Sequence, residues 1–219
     1  MKNQLSSHTI VVALQTILSS IRCLSGHSYT AHKHLSLSEG NKKVTWMEEE
    51  QPYPHHPARF DHWSQVLCRE GLSGRCYWDV EWSGPETHVG LTYGRISRKG
   101  EGYDCGLRYN DKSWSLRCSD NTFVTYHNTS NTAIPAPSSG SHRVGVYLDW
   151  PAGTLSFYSV SSDTLTHIHT FQNTFTEPLF PGFRLWNHDT SVALGTSHIG
   201  CFIPEMLFNA LNCYLSLNL

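Results

Sequence analysis

Apolar side chains fall on every second position through most of this chain, in short bursts broken by turn-forming residues. The plainest burst runs from Arg143 to Val160. Val144, Val146, Leu148 and Trp150 alternate with Arg143, Gly145, Tyr147 and Asp149, and after Gly153 the alternation resumes with Leu155 and Phe157 against Thr154, Ser156 and Tyr158. A period of two puts each set on one side of a strand. This stretch therefore predicts a hairpin with one buried face, reversed at Pro151-Ala152-Gly153. Cys76, Trp78, Val80 and Trp82 form a second such row, and Val89, Leu91 and Tyr93 a third. Leu35 and Leu37 lead into Glu39-Gly40-Asn41 before Lys43 to Trp46 resumes, which predicts a first hairpin. Further strands are expected at Asp104–Tyr109, Ser113–Cys118, Thr122–His127, Ile168–Phe171 and Ser191–Leu194.

The interruptions are equally informative. Gln51 to Pro57 holds three prolines, which cannot donate to a ladder, so it should run as an extended surface connection. Asn131 to Ser141, with Pro135 and Pro137, reads as a linker within the domain, and Arg95 to Tyr103 as a polar loop eased by Gly100 and Gly102. Between residues 29 and 197 no helix of normal length is predicted. The pattern is that of an all-β fold, a two-layer antiparallel β-sandwich with short terminal extensions. Trp78, Trp82, Trp114 and Phe157 belong to its core by strict alternation.

Residues 1–28 read as a poorly ordered leader. Its apolar run, Ile10 to Leu14 and then Ile17-Leu18, loosely imitates a signal peptide but is short and interrupted by polar groups. Residues 198–219 form a C-terminal extension, where Met206, Leu207, Ala210, Leu211 and Tyr214 recur at helical spacing after Pro204. A short helix fits there, and a membrane span does not.

A chain of 219 residues fits one such domain, and seven Trp, ten Tyr and nine Phe supply a large aromatic core. The formal net charge of -2 gives no global field for nucleic acid or an anionic membrane. The seven cysteines contain no Cys-x-x-Cys pair, so they read as buried thiols of a cytoplasmic protein. Asn128-Thr129-Ser130 matches a glycosylation acceptor, which matters only on secretion. The fourteen histidines invite a metal. Yet His55-His56 and His167-x-His169 lack completing ligands, so neither metal nor cofactor is expected. Gly100-x-Gly102-x-x-x-Gly106 misses the spacing of a nucleotide loop, and no Gly-x-Ser-x-Gly elbow is present. Enzyme chemistry has no constellation here, and binding remains.

Arg75-Cys76-Tyr77-Trp78-Asp79-Val80-Glu81-Trp82 together with Leu148 to Val160 resembles the signature of the PRY-SPRY (B30.2) family. Thr30-Ala31-His32, Leu35 to Glu39, Arg59-Phe60-Asp61, Gln65-Val66-Leu67 and Asn110 to Trp114 extend the match in order. The chain is similar to fish members of the tripartite-motif, NOD-like receptor and stonustoxin-like groups. The resemblance implies a concanavalin A-like jelly-roll sandwich at residues 29–197 that binds a protein or peptide through inter-strand loops. It implies innate immune signalling or ubiquitin-ligase targeting, although the RING that ligation needs is missing here. A secreted toxin-like or lectin-like component is the alternative. The family's binding places fall here on His88, Arg117, Ser119, Phe183 and Arg184, and Trp186 adds an aromatic anchor. Trp186 fits core packing and exposure equally, whereas Phe183→Ala and Arg117→Ala are expected to weaken binding without lowering the melting temperature. No membrane or nucleic-acid partner is implied, and the chain is expected to be a monomer.

Overall fold

In the computed structural model, which describes residues 24–136, 140–161 and 164–195, the alternation becomes strands in two sheets. Spatially, one sheet runs β1 (Leu35–Ser38), β2 (Lys43–Trp46), β13 (Ser191–Leu194), β4 (Arg75–Ser83), β9 (Arg143–Asp149), β10 (Thr154–Val160) and β11 (Leu165–Gln172). The other runs β3 (Gln65–Leu67), β12 (Leu179–Arg184), β5 (Glu86–Tyr93), β6 (Ser113–Ser119), β7 (Thr122–His127) and β8 (Ser130–Pro135). Every strand pair is antiparallel. Trp78, Val80, Val146 and Phe157 from the first sheet and Leu91, Trp114, Leu116 and Phe183 from the second share one buried cluster. That shared interior makes the two sheets a sandwich.

The hairpins form where turn chemistry permits. Leu155 pairs with Leu148 and Phe157 with Val146, so both apolar rows of β9 and β10 face inward. Gly153 closes the loop at φ +71, where a Cβ would overlap the Asn173 carbonyl oxygen, and the Asp149 carboxylate accepts from the Ala152 N–H at 3.1 Å. Between β1 and β2, Glu39, Gly40 and Asn41 all take positive φ, of 52, 66 and 64. Glycine and asparagine tolerate this region, and Glu39 is carried into it by its neighbours.

Three expectations need correction. Asp104–Tyr109 is not a strand. A single 3-10 turn occupies Tyr103–Cys105, and Leu107 joins Phe60, Leu67 and Ile96 in a satellite cluster. The alternation of Cys105 and Leu107 reflects burial, but side chains serve the backbone where a neighbouring strand was expected. Gln65 Oε1 accepts from the Leu107 N–H at 3.1 Å, and Ser115 Oγ donates to the Leu107 carbonyl at 2.8 Å. Next, residues 131–135, expected in a linker, lie in the edge strand β8, registered from Thr122↔Pro135 to His127↔Ser130. Proline is tolerated there because an edge strand can spare a ladder donor. Last, residues 24–28 are part of the sandwich: Leu24 is buried, Gly26 bridges to Cys68, and the His27 N–H donates to the Leu67 carbonyl at 2.8 Å. The signal-like run and the C-terminal helix expected at 198–219 lie outside the described residues.

Trp78 is 2% exposed and sits between the sheets. Trp78→Ala should destabilise the fold by about 3–5 kcal/mol, read as a lower urea midpoint. A midpoint within error of wild type would refute this account of the core.

Candidate functional site

Because Val89, Leu91, Trp114, Leu116 and Phe183 face the core, the residues between them face outward on the six-stranded sheet. Register then aligns them. Gln65, Arg184, His88, Arg117 and Val124 form one row across β3, β12, β5, β6 and β7, with Glu86 opposite Ser119 beside it. Three of the six residues singled out from sequence are thus direct neighbours.

The row is polar and yet largely shielded. His88 is fully buried, with its ring 5.5 Å from Tyr126 and 5.2 Å from Trp186. Neither ring nitrogen has a partner of hydrogen-bond geometry. Burial, and then Arg184, Arg108 and Arg117, hold its pKa well below the ordinary imidazole value, against a weak opposing pull from the Leu107 backbone. The ring is therefore neutral. Arg184 is 5% exposed, and its guanidinium carbon lies 4.1 Å from the Trp63 ring centre and 4.7 Å from that of Trp186. Such stacking replaces part of the lost hydration. Burial and then Arg108 lower its pKa to about 10, and Glu86 acts in the opposite sense. Arg117 pairs with Glu86 at 3.2 Å, both partly exposed.

Arg108 completes the group from the β5–β6 loop, 4.7 Å from the Tyr109 ring centre and 5.0 Å from that of Tyr126. Trp63, Glu86, Arg108, Tyr109 and Tyr126 escaped the sequence reading. Trp63 and Arg108 lie in irregular segments without alternation. Glu86 and Tyr126, however, occupy the outward positions of β5 and β7 and could have been found by taking the polar phase of each strand.

The remaining expected residues separate. Phe183 is 1% exposed, paired with Val89 and Val66 in the core, so it is not a surface anchor. Neighbouring residues of a strand point to opposite faces, and once Arg184 is outward Phe183 must be inward. Trp186 is half-buried and roofs His88 and Arg184. Ser119 donates to the Thr122 carbonyl at 2.8 Å in the β6–β7 turn, beside a cleft walled by Trp82, Phe123 and His142. In that cleft His142 stacks on Trp82 at 4.3 Å and contacts the Asp120 carboxylate at 2.9 Å. Among the described residues no group of three metal-binding side chains occurs.

A rigid sandwich with an arginine- and aromatic-rich outer face is the form of a recognition domain. Residues 28–72 match PRY, the SPRY-associated domain, and residues 75–197 match the SPRY domain. The chain belongs to the SPRY family, whose domains are protein-interaction modules. It is 46% identical over 157 residues to stonustoxin subunit beta of Synanceia horrida, covering 71% of this chain and 22% of that protein. Mouse tripartite motif-containing protein 16 is 41% identical over 170 residues, covering 75% of this chain and 30% of that one. The chain thus spans less than a third of either relative. A stonustoxin structure superposes with TM-score 0.71 at 42% identity, over 78% of this chain and 27% of that one. The TRIM65 PSpry domain, at 24% identity, shares the fold with TM-score 0.72, over 90% of this chain and all (100%) of that one.

Two measurements follow from these positions. Phe183→Ala should lower stability by about 3–5 kcal/mol, seen in urea denaturation, and a neutral result would return Phe183 to the surface. His88 is depressed as described, and burial and then His34 lower His32 to about 4. Both rings bind protons more readily in the unfolded chain, so the native state loses stability as pH falls below about 6.5. Melting temperature should drop from about pH 7 to about pH 4.5, and His88→Phe should flatten that slope. An unchanged slope would exclude His88 as a source.

Proposed function

We propose that this chain is a non-catalytic recognition domain that seats a protein or peptide partner on the outer face of its six-stranded sheet. The observation that carries the reading is the row Arg184–His88–Arg117 roofed by Trp63, Trp186 and Tyr126. Arginine and large aromatics dominate interface energetics, the aromatics because they bury much area on few rotatable bonds and arginine because its fork makes several directed hydrogen bonds and stacks on rings. The strands hold these groups in place before the partner arrives, so association orders few side chains. The adjoining loops, above all the one from β5 to β6 that carries Arg108 and Tyr109, set which partner fits.

The role best supported is target recognition in innate immune signalling or ubiquitin-ligase targeting, by similarity to tripartite motif-containing proteins 16 and 14 of mouse. A cytoplasmic setting suits Cys68, Cys105 and Cys118, which are buried free thiols. The reading includes a monomer, with neither nucleic acid nor membrane as partner. A secreted toxin-like component is the second reading, favoured by the higher identity to stonustoxin subunit beta and by Asn128, exposed at the β7–β8 turn. Expression in animal cells separates the two. A glycosylated, leader-trimmed species in the medium would reject the cytoplasmic assignment.

Affinity capture with the whole chain tests the site. An Arg117→Ala/Trp186→Ala variant should recover the wild-type partner roughly tenfold less, with an unchanged circular-dichroism spectrum. Equal recovery by both baits would reject the outer face.

A further inference from the structure

Three guanidiniums act together on His88: Arg184 from β12, Arg117 from β6 and Arg108 from the β5–β6 loop. They are not matched in number by acids. Among the described residues Glu86 is the one carboxylate placed against this row, bonded to Arg117 at 3.2 Å, so three cations less one anion leave two in excess there. His88 adds no charge, being neutral.

Their donors are also underused. Arg184 Nε and Nη1, Arg117 Nε and Arg108 Nε are shielded from solvent and have no hydrogen-bond partner among the described residues. A guanidinium stays charged at any physiological pH, and buried unpaired donors on a cation are strongly unfavourable. Rings already lie against the Arg184 guanidinium, Trp63 and Trp186 at 4.1 and 4.7 Å, and Arg108 lies over Tyr109 and Tyr126. What a ligand can still engage is the remaining terminal nitrogen of Arg184, Nη2, and the terminal nitrogens of the partly exposed Arg117. The two oxygens of a planar carboxylate can accept from both groups.

Resting on the protein-binding role proposed for this face, we infer that the cluster seats an Asp or Glu side chain of an acidic peptide segment, its carboxylate accepting hydrogen bonds from Arg184 and Arg117. The charge excess alone would accept a phosphate as readily, and the number of reachable donors decides for a carboxylate. Arg184 Nε and Nη1 are enclosed and Arg117 is already bonded to Glu86, which leaves too few N–H groups for the three oxygens of a phosphate. The flanking indoles then pack the neighbouring residues of the segment.

Selection from a random-peptide display library on the whole chain supplies the probe. Peptides whose binding is lost in Trp186→Ala should be enriched in Asp and Glu. Replacing the selected acid by its amide, or making Arg117→Gln or Arg184→Gln, should weaken binding by about tenfold or more. Glu86→Gln should tighten it, and added salt should weaken it. Circular dichroism and melting of each variant identify misfolding, and should Arg184→Gln not fold, Arg117→Gln and Glu86→Gln carry the test through their opposite signs. Peptides that need Trp186 but bind equally as acid or amide would overturn the acidic seat and leave the protein-binding role intact. The seat would also be overturned if only a phosphoserine version of the selected peptide bound. A library yielding no peptide sensitive to Trp186→Ala would overturn both.

Discussion

A strand that gives one face to a packed interior has no freedom about the other. In this sandwich Val89, Leu116 and Phe183 fill the space between the sheets, and the side chains of His88, Arg117 and Arg184 are forced outward in a single line. The aromatic core is thus more than a source of stability. A slip of one residue in β6 or β12 would bury an arginine between the sheets, and one in β5 would bury Glu86 and His88, each exposing aromatic or aliphatic side chains. The penalty for that exchange keeps the register, and register keeps the row together.

The second determinant is the β5–β6 connection. It lies over part of the outer face as an irregular segment, held by Gln65, Asn110 and Ser115 in place of a paired strand. Asn110 Nδ2 donates to the Tyr103 and Arg108 carbonyls at 2.7 and 2.8 Å, which ties the loop to itself. Trp63 adds a bond to the Gly102 carbonyl at 3.1 Å. These contacts cover one side of the face with apolar residues around Leu107 and stop short of Arg184, so the loop borders the arginine row and contributes Arg108 to it. A segment built this way can change sequence at its exposed positions without disturbing any strand pairing.

Most of the architecture was legible because burial on one side writes itself into the chain with period two. The hairpins at Glu39-Gly40-Asn41 and Pro151-Ala152-Gly153, strand β7 and strand β13 follow directly from that pattern. The pattern misled where burial and pairing part company. Leu107 is fully buried without a partner strand, and residues 131–135 pair without being buried. The outer face was legible only in part. Arg117 and Arg184 were found through family likeness, which also offered Phe183, although strand geometry alone forbids adjacent residues from sharing a face. Arg108 and Trp63 come from irregular segments, and only the folded chain brings them to His88.

The position of β13 has its own consequence. It inserts between β2 and β4, so the PRY-like hairpin is fastened to the rest of its sheet by the last strand described. During synthesis the hairpin leaves the ribosome early and waits, its open edge unmatched, until Ser191–Leu194 emerges more than a hundred residues later. Joining segments so distant is slow, and an unmatched edge invites pairing with other chains meanwhile. A nascent chain halted before that point would hold two fragments of a sheet, each with an edge that only β13 can close.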